Sequence, residues 1–232
     1  MMNNNHYSYK SQEELIQNLS DKIVANLKEA IDGTGKASFL VSGGSTPKPL
    51  FEKLSSVDME WESVVIGLCD ERWVSQTHSD SNERFVKEFL LKSFAKKANF
   101  ISMYQKDIKI EDAQEFCSNI YQKELFPFDV VILGMGTDGH TASLFPHNVK
   151  LSEAFDENNE SLCISMKPDI APHERMSLTK EAILSAQNIY LHFEGKEKKT
   201  VYDKVIAGID KYEMPISSVI NQMRKKIEVY YR

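Results

Sequence analysis

The segment from Phe128 to Pro146, FDVVILGMGTDGHTASLFP, constrains the fold of this chain more than any other. Its apolar run from Val130 to Leu133 is bounded by Pro127 and Gly134. A short continuous run of this kind predicts a strand buried on both faces, as in parallel sheets. The glycines that follow allow tight turns and bring backbone N–H groups close to a ligand. The segment therefore predicts a parallel sheet with a ligand site at the carboxyl end of this strand.

An acid and a base stand where this glycine-rich loop ends. Histidine ordinarily titrates near neutral pH, and a carboxylate two residues away can orient its ring or support its charged form. A lone histidine is more often structural, and an Asp-Gly pair is usually a turn. Here they accompany a buried strand and three glycines, so we predict His140 as a general base supported by Asp138. The run from His140 to Leu144 is expected to open a helix that faces the ligand.

The size and composition of the chain predict one globular domain over residues 1–232. Its 232 residues suit one large α/β domain, and 41% hydrophobic with 27% charged residues is ordinary for a globular protein. The formal charge of −6 argues against nucleic acid as a partner, although a basic pocket for an anionic metabolite remains compatible with it.

The cysteines and the N-terminus bear on the compartment. Cys69, Cys117 and Cys163 are odd in number and far apart, which favours reduced thiols over disulfides or a zinc site. The first ten residues contain no apolar signal region, and no stretch approaches the roughly 18 apolar residues of a membrane span. We therefore expect a cytoplasmic protein with no metal and no membrane association.

A second loop has the composition of a phosphate site. The predicted strand Ala37–Val41 runs into SGGSTP, and a helix is predicted from Lys48 to Leu54. Glycines, hydroxyls and a proline before a helix can form a cradle of N–H groups, although a plain strand-to-helix turn would look the same. The predicted phosphate contacts here are Gly43, Gly44, Ser45 and Thr46.

Charged residues elsewhere are further candidates for binding an anion. The predicted strand Val64–Cys69 leads to Asp70, Glu71 and Arg72. Three charges in a row are typical of a solvated surface turn, but an arginine at a strand end can hold a phosphate bidentately. In that case Asp70 and Glu71 would position the arginine or meet sugar hydroxyls.

Two later basic residues, Arg175 and Lys198, are either further anion ligands or solvated side chains. Lys198 falls near the start of a predicted helix from Gly195 to Ile206, where a positive charge opposes the helix dipole.

The order of elements predicts the fold class. Helices predicted at Ser11–Ile31, Glu83–Phe94 and Glu111–Leu125 alternate with the buried strands. Such alternation indicates an α/β fold with a parallel sheet and helices on both faces. All the suspected loops then lie at the carboxyl ends of strands, where ligands of such sheets bind.

Three motifs together resemble a known family: SGGSTP at 42–47, DERWV followed by DSN at 80–82, and LGMGTDGHTASLFP at 133–146. They closely resemble the 6-phosphogluconolactonases of the bacterial pentose phosphate pathway. The segment APHERMSLT, with Arg175, and GKEK at 195–198 extend the resemblance over nearly the whole chain.

The resemblance implies a three-layer Rossmann-like sandwich with a mainly parallel central sheet, shared with glucosamine-6-phosphate deaminases. It further implies hydrolysis of 6-phospho-D-glucono-1,5-lactone to 6-phospho-D-gluconate, with no cofactor. His140 would be the base, and the loop at 42–47 would hold the phosphate with Arg72, Arg175 and Lys198.

Two alternative functions remain at this point. Glucosamine-6-phosphate deaminases have a similar loop, but a glutamate stands five positions after their histidine, where this chain has Phe145. Because a phenyl ring cannot transfer a proton, lactone hydrolysis is favoured. A non-catalytic sugar-phosphate sensor would need the phosphate cradle but not the Asp138–His140 pair. Oligomeric state leaves no signal in the sequence.

Overall fold

The computed structural model describes residues 4–169 and 171–232; residues 1–3 and 170, which the predicted domain includes, lie outside the described residues. The strands are β1 (Asn5–Ser8), β2 (Ala37–Val41), β3 (Val64–Leu68), β4 (Asp70–Arg72), β5 (Asn99–Phe100), β6 (Val130–Leu133), β7 (Cys163–Met166), β8 (Arg175–Leu178), β9 (Asn188–Phe193) and β10 (Glu228–Tyr231). The α-helices are α1 (Gln12–Thr34), α2 (Lys48–Ser55), α3 (Asn82–Phe89), α4 (Ile110–Glu124), α5 (Leu151–Ala154), α6 (Lys180–Ser185), α7 (Lys196–Ile206) and α8 (Ser217–Ile220). Across the described ranges, no helix has the length and apolar character that a membrane crossing requires.

A seven-stranded sheet forms the centre of the fold, in the order β1-β10-β9-β6-β2-β3-β5. Every neighbouring pair in it is parallel, and helices cover both faces, which confirms the predicted fold class. All residues of β2 and β6 are buried, as their continuous apolar runs predict. The side chain of Asp129 fixes the register of these two strands, because it accepts hydrogen bonds from the N–H (2.7 Å) and hydroxyl (3.2 Å) of Ser38.

The chain order reverses between β2 and β6, and this reversal locates the site. From β2 the chain continues to β3 on one side, whereas β9 and β10 follow β6 on the other. The connections that leave the carboxyl ends of β2 and β6 therefore diverge and open a crevice between them. The SGGSTP loop and the glycine-rich loop after β6 form the two sides of this crevice.

A second, antiparallel sheet of β4, β8 and β7 includes residues 70–72, which the sequence pattern places in a turn after the preceding strand. The turn is strand β4, whose residues Asp70 and Arg72 pair with Ser177 and Arg175 of β8. Three residues are too few to show a strand period, and their charge is typical of a surface. They form a strand because β8 supplies hydrogen bonds from more than 100 positions away in the sequence.

Helix bounds differ from prediction mainly at the carboxyl ends. Helix α1 begins after Ser11, whose hydroxyl accepts the Glu14 N–H (3.1 Å), and runs three residues beyond the predicted end to a left-handed Gly35. Helix α3 ends at Phe89 instead of Phe94. The chain turns there because the N–H of Phe94 bonds to the carbonyl of Ser55, at the end of α2 (3.0 Å).

The predicted helix from His140 to Leu144 is wrong. These residues form turns and an isolated bridge between Thr141 and Leu144. The hydroxyl of Thr141 donates to the carbonyl of Gly134 (2.9 Å), and Ala142 has a left-handed φ of 47°. The loop thus folds back onto the end of β6, which a helix starting at His140 would not do.

Candidate active site

A cavity of about 240 Å³ opens at the carboxyl ends of the central strands. Four neighbouring strands, β9, β6, β2 and β3, lead into the segments that line it. The structure brings nine of the ten predicted site residues to its wall: Gly43, Gly44, Ser45, Thr46, Asp70, Arg72, His140, Arg175 and Lys198. Asp138, the tenth, does not line the cavity and instead contacts His140.

The Asp138–His140 pair has the geometry of an oriented base. His140 Nδ1 lies 2.6 Å from Asp138 Oδ1, which also accepts the backbone N–H of His140 (3.1 Å). Burial opposes ionisation of Asp138, but the hydrogen bonds and charge of His140 prevail and lower the pKa of Asp138 below its ordinary value. Because an ionised carboxylate only accepts hydrogen bonds, Nδ1 carries the proton of neutral His140 and Nε2 is left as the basic nitrogen.

Two glycines of the loop after β6 make room for this pair. A Cβ atom on Gly136 would lie 2.2 Å from His140 Nδ1 and 2.5 Å from Asp138 Oδ1. Gly139 has a left-handed φ of 82°, and its carbonyl accepts the N–H of Ile216 (3.0 Å), which ties the loop to the segment before α8. The glycine spacing in the sequence therefore reflects close approach of side chains as well as turning.

Two arginines lie side by side on the small sheet at the other wall. Arg72 and Arg175 are direct partners in the β4–β8 pairing. Burial, and then the charge of Arg72, lowers the pKa of Arg175. The Nε atoms of both arginines are buried without a hydrogen-bond partner in the described chain. Buried donors without partners are rare in proteins, so these groups suit an anion that enters the cavity.

Asn82, which was not among the predicted site residues, holds Arg72 in position. Its Oδ1 accepts from Arg72 Nη1, and its Nδ2 donates to the carbonyl of Asp70 (2.7 Å). Gly43 leaves room for it, since a Cβ there would overlap the Asn82 side chain. Asp70 itself is buried and accepts the hydroxyl of Ser143 (2.6 Å). The DSN motif at 80–82 was the signal that could have identified Asn82 as part of the site.

The loop from Gly43 to Pro47 offers free donors to the cavity. Among the described residues, the backbone N–H groups of Gly44, Ser45 and Thr46 donate no hydrogen bond to the chain. Lys198, from the first turn of α7, lies 3.3 Å from the hydroxyl of Thr46. Burial lowers the pKa of Lys198, as expected for a partly buried cation whose charge is fully compensated only when an anion binds.

His192 lines the cavity although it was not predicted as a site residue. It comes from β9, is 2% exposed, and neither ring nitrogen has a hydrogen-bond partner within the described part of the chain. Its Nε2 lies 3.4 Å from Glu194 Oε1, but the contact is too poorly aligned for a hydrogen bond. A histidine in a buried strand is normally interpreted as a core residue, so the sequence alone gave no signal.

Phe145 packs against His140. Its ring stacks on the ring of His140, with centroids 4.6 Å apart, and the Arg175 guanidinium lies over the Phe145 ring, 5.6 Å from its centroid. The residue therefore supports both walls of the cavity by packing.

Solved structures with the same architecture include two related enzymes. A 6-phosphogluconolactonase from Shewanella baltica is 40% identical, with a TM-score of 0.95, covering 99% of this chain and 98% of that one. A monomeric glucosamine-6-phosphate deaminase has a TM-score of 0.80 over 98% of this chain and 96% of its own, at 17% identity, which shows the shared fold alone.

Sequence comparison leads to the same group of proteins. The 6-phosphogluconolactonase of Rhizobium meliloti is 37% identical over 230 residues, covering 99% of each chain. A model of the family described as glucosamine-6-phosphate isomerases/6-phosphogluconolactonase matches residues 10–229. With this match along nearly its whole length, the chain belongs to the glucosamine-6-phosphate isomerase/6-phosphogluconolactonase family.

Proposed function

We propose that this chain hydrolyses 6-phospho-D-glucono-1,5-lactone to 6-phospho-D-gluconate, with His140 as the general base. The observation that carries the proposal is the 2.6 Å contact between His140 and Asp138, in a cavity whose opposite wall holds two arginines. In this arrangement a base can activate a water molecule while the arginines bind a phosphate. Relatives named for this activity, at 31–37% identity over most of the chain, support it.

The reaction uses the base in its neutral form. His140 Nε2 removes a proton from water while the water oxygen bonds to the lactone carbonyl carbon. Asp138 keeps the ring in the required tautomer and stabilises the imidazolium that forms. The bond from the carbonyl carbon to the ring oxygen then breaks, and the ring oxygen gains a proton to become a hydroxyl.

The phosphate is assigned to the wall formed by the SGGSTP loop and the two arginines. The unpaired N–H groups of Gly44, Ser45 and Thr46 supply donors, and Arg72, Arg175 and Lys198 supply charge, as predicted. We keep Asp70 as a residue that contacts the sugar, although its carboxylate already accepts a hydrogen bond from the Ser143 hydroxyl.

We add His192 to the substrate-binding residues. A buried ring with two unpaired nitrogens loses the free energy of its hydration, and a hydroxyl or phosphate oxygen in the cavity would restore a partner. Replacement by leucine is expected to raise KM for the lactone more than it lowers kcat, whereas a structural role would leave both nearly unchanged in the folded variant.

The direct test of the proposed reaction is acid release from freshly prepared 6-phosphogluconolactone. The blank without protein is essential because the lactone also opens in water. Wild type should accelerate opening, and His140→Ala should lower kcat by about 10²- to 10⁴-fold, the usual contribution of a positioned base. Lack of acceleration by wild type would refute the proposed function, and full activity in the variant would refute the role of His140.

A second variant separates binding from chemistry. Arg72→Ala should mainly raise KM, because binding of the phosphate by Arg72 stabilises the ground state and the transition state alike. A collapse of kcat at unchanged KM would instead place Arg72 at the reacting carbonyl.

We also propose that the chain acts as one functional domain and that its substrate is a small-molecule sugar phosphate lactone. The proposal also includes action in the cytoplasm, within the pentose phosphate pathway.

A further inference from the structure

Three metal-ligating side chains from two loops converge beside the arginine wall of the cavity. They are His78 and Asp80 from the loop after β4, and His173 from the loop before β8. One donor atom from each residue lies within 4.8 Å of the others. No metal site is predicted from the sequence, because His173 is more than 90 positions from the other two residues.

The three side chains already contact one another and remain open to solvent. His173 Nε2 is 3.0 Å from Asp80 Oδ2, and His78 Nδ1 is 4.0 Å from the same oxygen. The two imidazole rings meet edge to face, with centroids 5.3 Å apart. The side chains are 28% to 47% exposed, so a hydrated ion can reach them.

We propose that His78, Asp80 and His173 form a binding site for a divalent transition metal ion of the Zn²⁺ class. Two imidazoles and one carboxylate are a common ligand set for Zn²⁺, with solvent completing the tetrahedron. Ligand distances of roughly 2.0–2.2 Å place tetrahedral donors about 3.4 Å apart. The donors here need to move by an ångström or so, which exposed side chains on loops can do.

Binding has an identifiable local cost. His78 Nδ1 accepts the backbone N–H of Asp80 (3.1 Å), and coordination through Nδ1 would replace this bond. The backbone N–H is exposed with its residue, so water can take over the role of acceptor. The Asp80–His173 hydrogen bond would be replaced by two bonds to the metal.

The site is coupled to the cavity through the two arginines. Arg72 Nη1 donates to the carbonyl of Asp80 (3.1 Å), and Arg175 Nη2 donates to the carbonyl of Pro172, the neighbour of His173 (3.1 Å). A metal ion would thus join the two loops whose carbonyls orient the arginine pair. Among the backbone hydrogen bonds of the described residues, the last one that joins these two loops runs from the Trp73 N–H to the Glu174 carbonyl (2.7 Å).

The test is titration of the full chain with Co²⁺, followed by visible absorption, and then displacement by Zn²⁺. Wild type should bind one equivalent, with the absorption of a nitrogen- and oxygen-ligated ion. Asp80→Asn and His173→Gln should each lower the affinity for the metal by about 10-fold or more, since even changes outside the ligand set have such effects. Circular dichroism verifies that these surface variants are folded.

Two controls distinguish this site from other histidines. His140→Ala removes the Asp138–His140 pair, and His147→Ala removes an exposed pair in which His147 lies 3.6 Å from Glu213. Both should bind the metal as wild type does. Hydrogen exchange of residues 78–81 and 172–174 should slow on addition of Zn²⁺. Failure of wild type to bind, unchanged binding in both ligand variants, or loss of binding in His140→Ala would overturn the proposal.

Discussion

At the scale of single residues, the loop after β6 depends on space as much as on chemistry. The residue types Asp138 and His140 could be predicted from the sequence, because an acid and a base after a buried strand are an informative combination. The helix expected at His140 was wrong, since the Thr141 hydroxyl binds the loop back to Gly134 instead. A side-chain bond of this kind has no sequence period, and propensity alone therefore could not reveal it.

Gly136→Ala tests whether the loop leaves room for the base. The added methyl group would lie 2.2 Å from His140 Nδ1, so the ring must move away from Asp138. We expect kcat to fall by at least about 10-fold, consistent with the sensitivity of catalysis to shifts of one ångström. Gly134→Ala is the matched control, since a Cβ there meets no atom within 4 Å. Equal activity of both variants would contradict this role of Gly136.

Phe145→Leu tests the contribution of the aromatic stack. Leucine keeps an apolar side chain but loses the ring that lies 4.6 Å from the His140 ring. Aromatic pairs contribute about 0.5–1.5 kcal/mol, so a roughly 2- to 10-fold fall in kcat is expected. Phe145→Tyr retains the ring and should stay close to wild type. Equal activity of the leucine and tyrosine variants would show that the Phe145 ring contributes only packing.

At the scale of elements, a buried carboxylate connects the small sheet to helix α3. Glu71 is fully buried and accepts the backbone N–H groups of Asn82 (2.7 Å) and Glu83 (2.8 Å) and the hydroxyl of Ser81 (3.0 Å). Burial raises the pKa of Glu71 to about 7, although these bonds oppose the rise. The carboxylate thus satisfies the first N–H groups of α3, which have no partner inside the helix.

Glu71→Gln should destabilise the protein by about 1–3 kcal/mol. An amide has one accepting oxygen, and its NH₂ group would face donors that the carboxylate now satisfies. The unfolding midpoint in urea measures the change. Glu88→Gln, an exposed glutamate on the same helix, should stay within about 0.5 kcal/mol of wild type. Equal midpoints for the two variants would show that the Glu71 contacts contribute little.

The elements that could be predicted from the sequence are those whose own residues show a hydrophobic pattern. Strands β2 and β6 have the predicted bounds because their apolar runs end at glycine or polar residues. Strands β1 and β5 were missed: β1 is largely polar, and β5 has two residues. Each exists because a neighbouring strand, β10 for β1 and β3 for β5, supplies its hydrogen bonds, which is information from elsewhere in the chain.

At the scale of the whole molecule, Glu194 connects distant parts of the chain. It follows β9 and accepts hydrogen bonds from Gln12 at the start of α1 (3.0 Å) and from the terminal residue Arg232 (2.9 Å). Its carboxylate also lies 3.4 Å from His192. The contacts with His192, Gln12 and Arg232 together lower the pKa of Glu194 to about 2, below the ordinary value of 4.5.

A lowered pKa in the folded state gives a definite pH dependence. The stabilisation by Glu194 should be present above about pH 4.5 and lost as the pH falls toward about 2. Glu194→Gln should therefore lower stability by about 1–2 kcal/mol at pH 7, with a smaller difference from wild type near pH 3. Urea unfolding at both pH values measures this, with the exposed Glu29→Gln as control. A difference that does not shrink in acid would contradict the assignment.

The paired arginines of the small sheet have a consequence for selection and engineering. Arg72 and Arg175 are partners across two strands, and their mutual repulsion, which Asp70, Glu71 and Asp80 oppose, would fall further when an anion binds. Stability of the empty protein and affinity for a phosphorylated ligand are thus in conflict at this position. A screen that ranks variants by the melting temperature of the empty protein would reward loss of an arginine. The same screen run in saturating phosphate would retain both.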